Sequence, residues 1–252
     1  VALAEFATLG SRTTPAECLF APQTTITHGT SLVDGDLSKM GDKKMGLSWS
    51  PRSNVFLYGG GVDLTKTTNI PLALSKGINV ALSPDWSMGG SQNLLDELRF
   101  ADKVDNGAWS DKVTPKMLVE MVTINAARVL HRDRYVGSLE VGKRADILVI
   151  SGDAARPYDA LLAATPRTVN MTMVDGVILY GDPALQPLAP ARPGCEVIDV
   201  CTAKKFLCVA TEATTDKLNQ SYADITAALT TGLADFDALA SPKTTFKFSP
   251  IT

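Results

Sequence analysis

The run Gly77-Ile78-Asn79-Val80-Ala81-Leu82-Ser83-Pro84-Asp85 is an apolar stretch that ends in a lone acid. A buried strand favours Ile, Val, Ala and Leu, and a carboxylate at its end is costly to desolvate unless it binds a cation or accepts hydrogen bonds. Parallel α/β barrels place their chemistry at this end of their strands. Asp85 therefore reads as a ligand. The ordinary alternative is that it caps the helix that follows or closes a turn after Pro84, and the strand pattern by itself does not separate the two.

With 252 residues, 45% of them hydrophobic and 20% charged, the chain can bury a substantial core. No apolar run is long enough to cross a bilayer. A net charge of −3 without a Lys/Arg cluster leaves no electrostatic footprint for nucleic acid or an anionic membrane, so the expected partner is a small molecule or another protein. No targeting signal is visible at the amino end, and localisation stays open.

The elements that must position Asp85 alternate. Thr24 to His28 is β-branched and strand-like, Asp34 to Lys43 a short polar helix, and Met45 to Ser50 a second strand ended by Pro51. A loop with Gly59, Gly60 and Gly61 leads to a helix from Asn69 to Lys76, the strand Ile78 to Ser83 and a helix from Asn93 to Val104. Such alternation predicts a parallel sheet with helices outside it. Val1 to Leu9 reads as a helix with no strand ahead of it. A complete barrel takes eight strand–helix units in about 250 residues. Only part of one is expected here.

From Thr114 the pattern changes. Thr114 and Pro115 start a helix that runs to Leu130. Val136 to Ile150 reads as a turn between glycines and a strand, and Asp175-Gly176 between two apolar runs is a hairpin signal. Residues 183 to 194 are rich in Pro and Ala and read as a linker, after which Val197 to Cys201 and Lys205 to Val209 can pair and Thr214 to Leu233 can be helical. The expected division is residues 1–130 as barrel, 131–182 as a small β-sandwich segment and 183–252 as linker and extension.

Five pieces, Ile26-Thr27-His28-Gly29-Thr30, Trp49-Ser50-Pro51-Arg52-Ser53-Asn54, Ser83-Pro84-Asp85-Trp86, Thr123 to Leu130 and Gly137 to Ile147, resemble in type and order the metal-dependent amidohydrolase superfamily. The branch most like them contains cytosine deaminases, triazine chlorohydrolases and imidazolonepropionase-like enzymes. The resemblance covers residues 1 to 182 and implies an α/β fold, strands six to eight of a TIM (β/α)8 barrel and then a small β domain, to which the residue pattern adds a helical tail. It also implies a divalent metal, zinc with iron as the alternative. His28 matches the family's sixth-strand His and Asp85 its eighth-strand Asp. Nothing matches its first-strand His-x-His pair or its fifth-strand His.

Hydrolysis at an amide-like or amidine-like carbon needs a strong nucleophile near neutral pH, and a divalent metal lowers the pKa of bound water from about 15.7 to about 7. Asp85 would serve as metal ligand and proton acceptor, and His28 would bond the attacking water or substrate, or ligate a second metal. Trp49, Ser50, Asn54 and Trp86 sit at or just past strand ends and are candidates to line the substrate pocket, with ordinary packing as the competing reading. His131 reads as a solvated helix end and Cys18 as a small buried residue. One disulfide among Cys195, Cys201 and Cys208 would leave one thiol over.

A catalytic metal site usually takes three protein ligands, and this chain offers one good acid and one well-placed His. Two function classes follow. One is a hydrolase of C–N bonds whose early strands and His-x-His pair come from a second polypeptide or a missing amino-terminal segment. The other is a non-catalytic interaction or structural protein that keeps part of a barrel.

Overall fold

The computed structural model describes residues 6, 7, 9, 10, 19–86, 88–189, 195–209 and 220–239. Cys18, residues 190–194 of the expected linker and residues 214–219 of the expected terminal helix lie outside them. Of the helix expected over Val1 to Leu9, Phe6, Ala7 and Leu9 are described, and all three are helical.

The chain is α/β. Three short strands, β1 (Thr25–Thr27), β2 (Gly46–Trp49) and β3 (Asn79–Leu82), pair in parallel in that order. Parallel pairing needs crossovers. Helix α1 (Asp34–Asp42) joins β1 to β2, and α2 (Pro51–Gly59) and α3 (Ile70–Ser75) join β2 to β3. Strand alternation and the register Ile26↔Leu47↔Val80 put Ile26, Leu47, Trp49, Val80 and Leu82 on one face and Thr27, Ser48 and Ala81 on the other. The first face is dry. Leu47, Trp49 and Val80 share a buried cluster with Leu37 and Met40 of α1, Leu98 of α4 (Leu94–Val104) and Leu118 and Met121 of α5 (Pro115–Val122).

Local signals set the helix starts. Asn69 accepts the N–H of Leu72, Asn93 that of Asp96, and Thr114 that of Met117 ahead of Pro115. The sequence reading missed α2. Pro51 does not merely end β2; it occupies the first turn of a helix whose Phe56, Leu57 and Tyr58 are exposed, so no clean apolar stripe announces it. The single helix expected from Thr114 to Leu130 is two, α5 and α6 (Ile124–Val129), broken at Thr123, where φ/ψ of −121°/−103° leaves the helical region. Helix α7 (Pro157–Ala163), also unforeseen, packs on α4 and α5.

The second sheet is antiparallel: β4 (Ile147–Ile150), β5 (Val169–Val174), β6 (Val177–Gly181), β7 (Cys195–Val200) and β8 (Ala203–Cys208), in the order β4-β5-β6-β8-β7. Asp175 and Gly176, at φ +50° and +81°, form the expected hairpin turn, in which both residues must be left-handed. The β7–β8 pair also forms, and Cys195 and Cys208, directly opposed with Cα atoms 4.0 Å apart, are joined by a disulfide that leaves Cys201 out.

Two expectations are corrected here. The sheet does not stop at residue 182, because β8 pairs with β6 through Tyr180↔Leu207, and the expected extension completes it. It is also one sheet over a small core of Ile178, Phe206 and Cys208, where a sandwich was expected. Lys205, 2% exposed, is closed on the carbonyl of Val169 at 2.7 Å and on the carboxylate of Asp182. Helix α8 (Tyr222–Leu239) starts with the N–H of Tyr222 on Glu196. The chain thus forms two compact units, Val1–Lys143 with Asp153–Ala163 and Arg144–Gly152 with Ala164–Thr252, where breaks at 130/131 and 182/183 were expected. No helix among the described residues is long and apolar enough to cross a membrane.

One buried acid ties α4 to α2. Glu97 has no exposed surface; its Oε1 accepts the N–H of Arg52 at 3.1 Å, and its Oε2 has no partner among the described residues. Burial pushes this carboxyl above the usual glutamate value, with Ser91 and Arg52 acting in the opposite direction. Folded Glu97 therefore holds its proton to higher pH than the unfolded chain does. Its contribution to stability is greatest below the ordinary glutamate value and is lost as pH rises through the raised one. All three tryptophans, Trp49, Trp86 and Trp109, lie in the α/β unit, so fluorescence melts report on it. Melting temperature should fall across that pH window, and Glu97→Gln, which keeps the acceptor for Arg52, should flatten the fall; equal slopes in the two proteins would refute the assignment.

Candidate functional site

His28 leaves the end of β1 with its N–H on the carbonyl of Ser48 at 2.9 Å, which extends the parallel ladder by one bond. Its backbone is left-handed, φ +64°, a conformation that costs a non-glycine residue of the order of 1 kcal/mol or more and persists only where neighbours hold it. Thr68, 2% exposed, is such a neighbour: its hydroxyl donates to the His28 carbonyl. The imidazole is thereby aimed across the edge of the sheet. Nε2 lies 3.8 Å from Oδ2 of Asp85, and Nδ1 is buried with no partner among the described residues.

Asp85 stands three residues beyond β3. Its Oδ2 accepts the hydroxyl of Ser53 at 2.6 Å, and Ser53 is itself fully buried in the first turn of α2. The alternative role as a helix cap falls to another residue, since Asn93 caps α4 and Asp85 accepts no backbone N–H among the described residues. The side chains of His28 and Asp85 are 31% and 34% exposed, open enough to meet a ligand. Beside them Ser83 bonds Ser48 at 2.8 Å and Ser50 at 3.3 Å, a line of hydroxyls along the sheet edge.

The four pocket candidates separate. Ser50 is buried within that hydroxyl line. Trp86 is 36% exposed and packs edge-on against Phe56, with ring centroids 6.4 Å apart. Trp49 does not line the rim: it has no exposed surface, lies on the helix-facing side of β2 against Trp109 and donates its Nε1–H to Thr67 at 2.8 Å. Asn54 is likewise fully buried, with its amide on Thr67 at 3.1 Å. Period-two alternation from Leu47 would have assigned Trp49 to the core. His131 is exposed at the end of α6, as expected. Ser53 and Thr68 are the residues that sequence reading missed, and neither carries a local signal beyond the phase of its element. No group of three or more His, Cys, Asp or Glu side chains able to hold a metal occurs among the described residues.

Residues 7–179 match the model of the Amidohydrolase family, and the chain belongs to that family. It is 32% identical over 168 residues to a 5-methylthioadenosine/S-adenosylhomocysteine deaminase of Thermoanaerobacter pseudethanolicus, a match covering 65% of this chain and 38% of that protein. An S-triazine hydrolase of Gordonia rubripertincta is 31% identical over 149 residues, covering 55% of this chain and 30% of that one. Among solved structures, an adenosine deaminase from Xanthomonas campestris with bound zinc superposes with a TM-score of 0.56 at 18% identity, over 65% of this chain and 38% of that one. Guanine deaminase of E. coli gives 0.56 at 22% identity, over 66% and 41%. At those identities the likeness is one of fold. The chain spans well under half the length of these relatives.

The hold of Thr68 on His28 is testable apart from any activity. Thr68→Val keeps the shape but leaves a carbonyl of a strained residue unpaired, which should cost about 1–3 kcal/mol. Urea denaturation followed by tryptophan fluorescence measures it, and Thr68→Ser should recover most of the loss. A Thr68→Val midpoint equal to that of the wild type would remove Thr68 from this role.

Proposed function

We propose that this chain is the carboxyl-terminal portion of a zinc-dependent hydrolase acting on C–N bonds of the deaminase type, with β1, β2 and β3 as strands six to eight of an eight-stranded barrel. The observation that carries the reading is the meeting of His28 and Asp85, 3.8 Å apart where β1 and β3 end. In parallel barrels that rim is where catalytic groups gather. The family match, the deaminases and hydrolase among the relatives and the zinc in one structural neighbour point the same way.

The side chains present suit such a metal. An imidazole with a buried, unpartnered Nδ1 and a carboxylate whose Oδ1 accepts no hydrogen bond among the described residues are the nitrogen and oxygen donors that zinc takes. Asp85 would supply one ligand, and His28 would bond the attacking water or substrate, or ligate a second metal. The remaining ones, a His-x-His pair and a further His, come from another segment, in the same polypeptide or a second one. A zinc ion held there would supply a water acidic enough to be a nucleophile near neutral pH, its pKa lowered from about 15.7 to about 7. Asp85 takes the proton of the attacking water and returns it to the departing nitrogen, while His28 orients that water or polarises the ring carbon under attack. Trp86 forms an apolar wall beside them, and Ser48 and Ser83 offer hydroxyls to polar ring atoms. Nucleoside-like and other amino-substituted heteroaromatic compounds are the substrate class that fits.

Asp85→Asn keeps the shape and loses both the negative charge and the basicity. Ammonia release from purine nucleosides and guanine should fall by about 10²-fold or more, zinc content should drop, and melting should hardly change. His28→Ala should also be severely impaired. Native mass spectrometry of the same material should show the segment that completes the site. An Asp85→Asn protein with unchanged turnover and zinc would leave the reading without its central residue; a folded wild type with neither zinc nor turnover would favour the non-catalytic alternative.

A further inference from the structure

We infer that Ser53 is the positioning residue of Asp85, fixing which carboxylate oxygen is left for the metal; this rests on Asp85 being a zinc ligand, as proposed above. In the first turn of a helix a serine hydroxyl has no carbonyl of its own helix one turn back to return to. Ser53, with no exposed surface, instead sends its hydroxyl 32 residues along the chain to Oδ2 of Asp85. The 2.6 Å separation lies within the range of a well-formed O–H···O hydrogen bond, about 2.5–3.0 Å. Asp85 itself lies in a loop, beyond the last ladder bond of β3, so the strand does not set its carboxylate plane.

The anchor at the other end is firm. Beside Ser53, Arg52 donates its N–H to Glu97, its Nε–H to Ser91 at 2.8 Å and its guanidinium to Asp96 at 2.9 Å, which locks the first turn of α2 onto α4. The hydroxyl of Ser53 therefore reaches the site from a fixed point. It holds Oδ2, the oxygen that faces His28, and leaves Oδ1 without a hydrogen bond among the described residues. A carboxylate held by one oxygen presents the other in a single direction, which is what a tetrahedral ion requires of a ligand.

The test uses the full chain in its native assembly. Zinc affinity is measured by competition with a chromophoric chelator for the wild type, Ser53→Ala, Asp85→Asn and the double variant, together with the visible spectrum of the cobalt-substituted protein. Loss of a hydrogen-bonding partner behind a metal ligand typically costs 10–100-fold. Ser53→Ala should therefore bind zinc about 10-fold more weakly or worse, lower kcat more than it raises KM, and shift the cobalt bands, with a melting temperature close to that of the wild type. The hydroxyl acts only through the carboxylate, so Ser53→Ala should add little to Asp85→Asn, whereas a structural role would add fully. Wild-type zinc affinity and cobalt spectrum in Ser53→Ala, beside a clear loss in Asp85→Asn, would overturn the inference and leave the proposed function standing. Zinc binding that is absent from the wild type, or untouched by Asp85→Asn, would overturn both.

Discussion

Two parallel ladders, β1 with β2 and β2 with β3, govern where each polar group of the site can stand. Because all three strands run the same way, His28, Ser50 and Asp85 leave the sheet at one edge, although 57 positions separate the first from the last. The period of two then sorts side chains between faces, sending Trp49 into the helices and Ser48 away from them. A slip of one residue would exchange the two sets. At Gly46 a Cβ would meet Oγ1 of Thr25 at 2.7 Å, so a larger residue there would make that threonine side chain turn away.

The same logic explains what the sequence disclosed and what it withheld. Strand and helix alternation was legible because its signals are local: β-branched runs, Asn and Thr caps, Pro in a first turn. Asp85 was legible as a violation, an acid closing an apolar strand, and such breaches of a local rule are where function tends to sit. His28 drew notice through a five-piece resemblance more than through its surroundings. Helix α2 escaped because one residue, Pro51, signals both a strand end and a helix start, and the exposed Phe56, Leu57 and Tyr58 blur the stripe that would have decided it. Ser53 and Thr68 escaped for a different reason: their partners lie 32 and 40 residues away, and no spacing rule links a hydroxyl to a partner across a fold. The pairing of β8 with β6 is non-local in the same sense, and a proline-rich stretch before it disguised the continuation of the sheet.

How the structure treats its other buried polar groups sharpens the reading of the rim. Lys205 is closed on a carbonyl and a carboxylate, and Asp105, with no exposed surface, takes the N–H groups of Lys112 and Val113. These are satisfied in the way that purely structural groups usually are. Three buried side-chain atoms are not satisfied within the described residues: Nδ1 of His28, Oδ1 of Asn54 and Oε2 of Glu97. Asn54 and Glu97 are fully buried among the helices that pack on the sheet, whereas His28 is partly exposed and faces Asp85. An unpaired buried polar atom costs about 1–3 kcal/mol, and of the three only Nδ1 of His28 belongs to a side chain that also faces an open carboxylate. Asp85 accepts no backbone N–H among the described residues and is held by the hydroxyl of Ser53. A residue placed there to end a turn would need neither that hydroxyl nor an imidazole across from it, whereas a residue placed there to hold a cation has a use for both.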